Sequence, residues 1–187
     1  TMDTEASVRQ AIRMIEAGAE YVRFTAQGER EARNLGEIRK ELNAQGYTTP
    51  LVADIHFNPR AADAAAEVVE KVRINPGNYV DKVKTFDLLE YTDEEYAAEL
   101  QKIRDRFVPF LDICKKHGTA IRIGVNHGSL SDRIMSRYGD TPEGMVASCM
   151  EFLRICRDEN FPDVVISIKA SNTVVMVRTV RLLVRTM

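Results

Sequence analysis

Polar residues that could bind an anion follow short apolar runs at five places in the sequence. The five pairs are Arg23 and Thr25, Asp54 and His56, Arg73 and Asn75, Arg122 and Asn126 with Gly124 between them, and Lys169 and Ser171. Alternate residues of a β-strand share a face, so the members of each pair point the same way. Four of these ten residues are cationic and one is anionic, which predicts a site built for an anion.

The apolar runs alternate with stretches of helical spacing, which is the pattern of parallel β/α units. In such units polar sites form at the C-terminal ends of the strands. We predict strands at 20–25, 51–56, 72–75, 119–125 and 164–169, and helices at 3–17, 29–43, 60–69, 92–117, 129–138, 142–158 and from 172 onward. We expect Pro109 to kink or split its helix, residues 75–78 to form a turn, and residues 79–91 to form an extended loop.

The fold class predicted from this order is α/β, as a partial (β/α)8 TIM barrel. A complete barrel usually takes about 250 residues, so we expect residues 1–187 to be a barrel fragment of about five parallel strands that lacks the first and last units. A doubly wound sheet is the competing architecture. It is disfavoured because no glycine-rich phosphate fingerprint follows any of the predicted strands.

Composition excludes several classes of function. The formal charge of −2 argues against nucleic acid as the main partner. No stretch of the sequence is long and apolar enough to cross a membrane. The three cysteines, Cys114, Cys149 and Cys156, are odd in number and widely spaced, which favours a reducing compartment and buried packing over disulfides or metal ligation.

The candidate residues allow more than one chemistry. Planar arginine side chains suit bidentate phosphate binding, so Arg23, Arg73 and Arg122 suggest more than one phosphate. The alternative is structural, with Arg122 pairing with Asp54 to hold the barrel together. Lys169 is a phosphate ligand, a Schiff-base nucleophile or a solvated lysine.

Two further groups follow the same strands. Asp54 and His56 could position hydroxyls or transfer protons. The backbone N–H groups of Gly128 and Ser129 could receive phosphate oxygens at the start of a helix.

These motifs resemble those of the 4-hydroxy-3-methylbut-2-enyl diphosphate synthase family, iron–sulfur enzymes of the non-mevalonate isoprenoid pathway. The resemblance is carried by residues 22–23, 53–57, 72–78, 121–126 and 168–171, and their order agrees over nearly all the chain. The long connection through residues 85–93 is similar to that of the larger form of the enzyme, found in plastids and some bacteria.

The resemblance implies a barrel that binds 2-C-methyl-D-erythritol 2,4-cyclodiphosphate. It also implies a separate C-terminal domain with a [4Fe–4S] cluster, reduced by ferredoxin or flavodoxin. The residues implied to bind substrate are Arg23, Arg73, Asn75, Arg122, Lys169 and Ser171, and those implied to orient its carbon skeleton and hydroxyls in catalysis are Asp54, His56 and Asn126.

The family's cluster cysteines lie in a C-x-x-C region that this sequence lacks. We therefore expect a fragment of the barrel domain that is inactive alone, with the cluster ligands outside this chain. Uncovered sheet edges predict self-association. The resemblance places the whole protein in the bacterial cytoplasm or, in a plant, in the plastid stroma. Two alternatives remain open: a class I aldolase-like barrel that uses Lys169, and a non-catalytic domain that binds phosphate ligands.

Overall fold

The structure, a computed structural model, describes residues 2–80 and 90–187, and these contain five strands and eight helices. The strands are β1 (Val22–Thr25), β2 (Leu51–Asp54), β3 (Lys71–Ile74), β4 (Ala120–Asn126) and β5 (Val164–Lys169). The helices are α1 (Thr4–Glu16), α2 (Glu29–Ala44), α3 (Pro59–Ala66), α4 (Pro76–Tyr79), α5 (Asp93–His117), α6 (Asp132–Tyr138), α7 (Pro142–Asp158) and α8 (Thr173–Thr186). No helix of these described residues is both long and apolar enough to span a membrane.

The five strands form one parallel sheet in the order β1-β2-β3-β4-β5. A doubly wound sheet would reverse its strand order at a switch point, so the sequential order confirms the predicted partial TIM barrel. In the register, Thr25 of β1 lies opposite Asp54 of β2, and Asp54 lies opposite Arg73 of β3. The polar residues predicted for these strands are therefore direct neighbours.

The chain divides into two compact units. The first comprises residues 1–74 and 112–122, and the second comprises residues 75–111 and 123–187. In the first unit the stripe Leu35, Ile38 and Leu42 of α2 is fully buried, and α2 packs on the alanine-rich α3. Small alanine side chains allow this close approach between helices. Gly36 of α2 contributes as well, because an added Cβ would lie 3.2 Å from Val68.

An aromatic cluster forms the core of the second unit. Tyr79, Phe107, Phe110 and Phe152 are buried, and the rings of Phe107 and Phe152 meet edge to face with centroids 5.0 Å apart. Aromatic pairs prefer this geometry because the positive ring edge faces the negative π face. The cluster joins α5 and α7 to α4, the short helix that follows β3.

Several predicted boundaries differ from the structure. Residues 75–78, predicted as a turn, contribute instead to α4, capped by the side chain of Asn75. Helix α6 begins at Asp132 rather than at Ser129, and α5 continues through Pro109 without splitting. The loop predicted at 79–91 falls largely on residues 81–89, which lie outside the described residues.

A buried polar network joins three helices of the second unit. The hydroxyl of Tyr96 on α5 and the guanidinium of Arg133 on α6 both donate to the Glu151 carboxylate on α7. The side chains of Arg133 and Glu151 are 2% and 5% exposed. Burial and the adjacent Glu151 carboxylate raise the pKa of Tyr96 well above its ordinary value.

We predict that Glu151→Gln destabilises the protein by about 3 kcal/mol, because it removes a buried carboxylate that accepts from both Tyr96 and Arg133. Urea denaturation followed by circular dichroism measures the change. Glu143→Gln, which alters an exposed carboxylate on the same helix, is the control and should lie within about 0.5 kcal/mol of wild type. Equal stability of the two variants would contradict this account of the network.

Gly77 of α4 approaches the backbone of the loop after β4 closely. A Cβ added at Gly77 would lie 1.8 Å from the Ser129 carbonyl oxygen, whereas one added at Gly28 would meet only the flexible side chain of Glu31. We therefore predict that Gly77→Ala lowers the free energy of unfolding by about 3 kcal/mol or more. The control Gly28→Ala should cost no more than about 1 kcal/mol. Thermal melts of both variants provide the comparison, and a Gly77→Ala protein as stable as the control would refute the close approach.

Candidate functional site

Asp54, the last residue of β2, lies between two arginines of the first unit. Arg23 Nη2 on β1 donates to Asp54 Oδ2 at 2.5 Å, and Arg73 Nη1 on β3 donates to Oδ1 at 3.1 Å. The side chain of Arg73 is 2% exposed and that of Asp54 is 11% exposed, whereas Arg23 is one-third exposed. The carboxylate therefore fixes both guanidinium groups through contacts that are largely shielded from water.

His56 extends this cluster from just beyond the end of β2. Its Nε2 lies 3.3 Å from Asp54 Oδ1, and Arg73 Nη1 lies 3.2 Å from that Nε2 and 3.3 Å from Nδ1. Both ring nitrogens are therefore close to the Arg73 guanidinium group, and Nε2 is also close to Asp54. Asp54 and Arg73 thus orient the ring, whose side chain is 37% exposed.

Two more cations of the first unit lie near this cluster. Burial lowers the pKa of both Arg73 and Lys71, and the charge of Arg122 on β4 lowers both further. Among the described residues, neither Arg122 nor Lys71 forms an ion pair with a carboxylate. Lys71 instead lies over the Tyr21 ring, 5.2 Å from its centroid. Arg122 does not pair with Asp54, so the structural alternative for that residue is not observed.

The pKa values of Asp54 and Arg73 are shifted by burial and by the positive charges beside them. Burial alone would raise the pKa of Asp54, but the charges of Arg23 and Arg73 outweigh it and hold that pKa below its usual value. Burial lowers the pKa of Arg73, and the Arg23 and Arg122 cations lower it further, against the opposing effect of Asp54. Among the described residues, Arg23 and Arg73 thus flank one carboxylate and Arg122 adds a further positive charge beside Arg73, which favours binding of an anion.

The remaining candidates lie in the second unit. Asn75 is 2% exposed, and its side chain is engaged at both ends, because Oδ1 accepts from Gly77 N at 3.2 Å and Nδ2 donates to Ser129 Oγ at 2.9 Å. Lys169 and Ser171 are exposed at and beyond the end of β5, and Asn126 is half-buried at the end of β4. The structure gives no shared contact among these last three side chains.

The backbone N–H groups predicted to receive phosphate at Gly128 and Ser129 already have partners. Gly128 N donates to Asp140 Oδ1 at 3.1 Å, and Ser129 N donates to the Asn126 carbonyl at 3.1 Å. That expectation was wrong because the helix starts three residues later. Residues 126–129 form a turn closed by the Asp140 side chain instead of a helix start.

The cysteines of this chain do not fit an iron–sulfur cluster. Cys114, Cys149 and Cys156 are each buried on a helix, and burial raises the pKa of both Cys149 and Cys156 to about 12. Cluster ligation needs thiolates that converge on one point. Within the described residues no group of three or more histidine, cysteine or acidic side chains could hold a metal ion.

Sequence reasoning missed two contributors to these clusters. Lys71 shares the face of Arg73, and the period of two in Lys71, Arg73 and Asn75 was a signal that could have revealed it. Asn78 also contributes, since its Nδ2 donates to Ser129 Oγ at 3.1 Å. No sequence pattern marks that contact, because it joins residues 51 positions apart.

We predict that Asp54→Asn destabilises the protein by about 3 kcal/mol at pH 7, because it removes a largely buried carboxylate that pairs with both Arg23 and Arg73. The pKa of Asp54 is lowered in the folded state, so its stabilising effect is full above the unfolded-state value of about 4 and is lost as the pH falls through the folded-state value. The difference between variant and wild type should therefore shrink below about pH 4. Urea denaturation across pH measures this, with the exposed Asp163→Asn as control, and a difference that is constant down to the lowest pH would contradict the pairing.

Comparison with known proteins identifies relatives of high sequence identity. The 4-hydroxy-3-methylbut-2-en-1-yl diphosphate synthase (flavodoxin) of Parabacteroides distasonis is 92% identical over 187 residues, which are 100% of this chain and 31% of that protein. The protein of the same name from Bacteroides fragilis is 75% identical over 187 residues, again 100% of this chain and 30% of its own length. The one from Chlorobaculum tepidum is 54% identical over 184 residues, 98% of this chain and 24% of that protein.

The chain thus spans about a third or less of the length of these relatives. A family model described as the GcpE TIM-barrel domain matches residues 1–187, the entire chain. This match agrees with the sequential parallel sheet and with the polar residues at its strand ends. The chain belongs to the family of GcpE TIM-barrel domains.

Proposed function

We propose that this chain is the substrate-binding barrel part of an enzyme that reductively opens 2-C-methyl-D-erythritol 2,4-cyclodiphosphate. The product is (E)-4-hydroxy-3-methylbut-2-enyl diphosphate. The relatives that carry the synthase name are about three times as long as this chain, so turnover belongs to a longer protein. In that protein residues 1–187 are part of the barrel domain, and the reducing cofactor is held by residues outside them.

The observation that carries this proposal is the excess of cations over carboxylates among Arg23, Asp54, Lys71, Arg73 and Arg122 in the described chain. Arg23 and Arg73 share that one carboxylate, while Arg122 and Lys71 form no ion pair within the described parts of the chain. Partly buried like charges repel one another and are stabilised when an anion enters. A diphosphate supplies such an anion and offers several oxygens to forked guanidinium donors.

These residues would stabilise the charge that develops when the ring opens. A C–O bond to the diphosphate breaks in this reaction, so negative charge grows on the leaving oxygen. Arg23 and Arg73 are already held by Asp54, so they need little reorganisation to stabilise that charge. His56, oriented by the same carboxylate, is suited to hydrogen-bond a substrate hydroxyl.

Other roles follow the family resemblance. We assign Lys169 and Ser171 to the diphosphate and Asn126 to the carbon skeleton. A [4Fe–4S] cluster would supply the electrons from outside this chain, because the cysteines here do not fit one. The relatives' names give flavodoxin as the donor, and we propose flavodoxin rather than ferredoxin for the whole protein. Those relatives are bacterial, which favours the bacterial cytoplasm over a plastid.

The aldolase alternative receives less support from the geometry. A Schiff-base lysine is normally activated by desolvation or by a neighbouring cation. Lys169 is exposed at the end of β5. Borohydride trapping of an adduct on Lys169 would restore that alternative.

We predict that Arg122→Ala lowers kcat/KM for the cyclodiphosphate by about 100-fold or more, because it removes a cation aimed at the developing charge. The assay uses the complete reading frame, expressed anaerobically with its cluster loaded and supplied with a reductant. The control is Arg30→Ala, which removes an exposed arginine of α2 and should leave kcat/KM within about twofold of wild type.

Two results would contradict the proposal. No turnover by a cluster-loaded wild-type protein would favour the aldolase or the non-catalytic binding domain. Turnover that is equal in wild type and Arg122→Ala would keep the reaction but remove Arg122 from the site.

A further inference from the structure

We propose that the Ser129 hydroxyl donates a hydrogen bond to a phosphate oxygen of the substrate. This inference rests on the proposed function, because its ligand is a phosphate group of the proposed substrate. The backbone N–H of Ser129 already has a partner, so the inference concerns the side-chain hydroxyl alone.

The Ser129 hydroxyl accepts two hydrogen bonds and can still donate one. Its Oγ accepts from Asn75 Nδ2 at 2.9 Å and from Asn78 Nδ2 at 3.1 Å. A hydroxyl has two acceptor lone pairs and one donor hydrogen, so both lone pairs are used. Accepting two hydrogen bonds also polarises the O–H group and makes it a stronger donor.

The amide of Asn75 has a fixed orientation. Its Oδ1 accepts from the backbone N–H of Gly77 at 3.2 Å, so its Nδ2 must face Ser129. The side chain of Asn75 is almost fully buried, and both of its polar atoms are engaged within the protein. We therefore assign Asn75 as a positioning residue that acts through Ser129, rather than as the substrate ligand expected from the sequence.

The hydrogen of the Ser129 hydroxyl has no acceptor within residues 2–80 and 90–187. Ser129 itself is only half-buried, so an external ligand can reach it. A donor that is oriented, polarised and accessible is suited to an anionic acceptor such as a phosphate oxygen.

The position of Ser129 supports the same assignment. Its backbone N–H donates to the Asn126 carbonyl at 3.1 Å, which folds the residue back onto the end of β4. In the same loop, His127 N donates to the Lys169 carbonyl at 2.8 Å, so the loop also adjoins the end of β5. Ligands of parallel β/α barrels bind at these C-terminal strand ends.

The test measures the dissociation constants of two ligands by calorimetry on the complete protein without reductant. The ligands are the cyclodiphosphate and inorganic pyrophosphate. Ser129→Ala and Ser129→Cys remove the strong donor, and the cysteine variant keeps nearly the same shape in case the alanine variant fails to fold. We expect both to bind about 10- to 100-fold more weakly, as for loss of a hydrogen bond to a charged group.

Two further variants separate donation from packing. Ser129→Thr keeps a hydroxyl and should retain affinity within about threefold. Ser131→Ala removes a buried hydroxyl that has no hydrogen-bond partner in the described chain, and it should leave both affinities unchanged. The melting temperatures of all variants show how much the hydrogen bonds from Asn75 and Asn78 to residue 129 contribute to stability.

The outcomes distinguish this inference from the proposed function. Wild-type affinity for both ligands in Ser129→Ala and Ser129→Cys would overturn the donor role, even if their melting temperatures fall. A wild-type protein that binds pyrophosphate through Ser129 but does not bind the cyclodiphosphate would overturn the proposed function and leave the donor role standing. A wild-type protein that binds neither ligand would overturn both.

Discussion

The candidate site depends on the ion pairs that the Asp54 carboxylate forms with Arg23 and Arg73. Asp54 ends the central strand of β1, β2 and β3, and it holds an arginine from each neighbour. Without it the buried Arg73 would lose a carboxylate that its guanidinium group contacts, and weaker compensation of a buried charge is costly. One side chain therefore links the strand register to the placement of two guanidinium groups and of the His56 ring.

The same carboxylate leaves the cluster incompletely neutralised. Arg122 adds positive charge near both Arg73 and Lys71, and burial together with this repulsion lowers the pKa of those two residues. A purely structural network would be expected to balance its charges more closely. The residual charge is what a diphosphate would neutralise, and the internal carboxylate keeps two of the donors in place before the ligand arrives.

The strands, most of the helices and the alternation of Arg23, Asp54 and Arg73 were predictable because they follow from local apolar periodicity and from the period of two within a strand. The short helix α4 was not, since Asn75, Pro76 and Gly77 are equally typical of a turn. Ser129 and Ser131 are both plausible helix caps, and only tertiary contact decides between them. Asn75 donates a hydrogen bond to Ser129, 54 positions away, and no local sequence pattern shows that contact.

The central claim is that the cations around Asp54 bind the diphosphate, and a crystal structure of the complete protein with the cyclodiphosphate tests it most directly. The account predicts phosphate oxygens within hydrogen-bond distance of the Arg73 and Arg122 guanidinium groups, with the Asp54 contacts to Arg23 and Arg73 retained. A diphosphate bound elsewhere, with no phosphate oxygen within hydrogen-bond distance of Arg73 or Arg122, would contradict it.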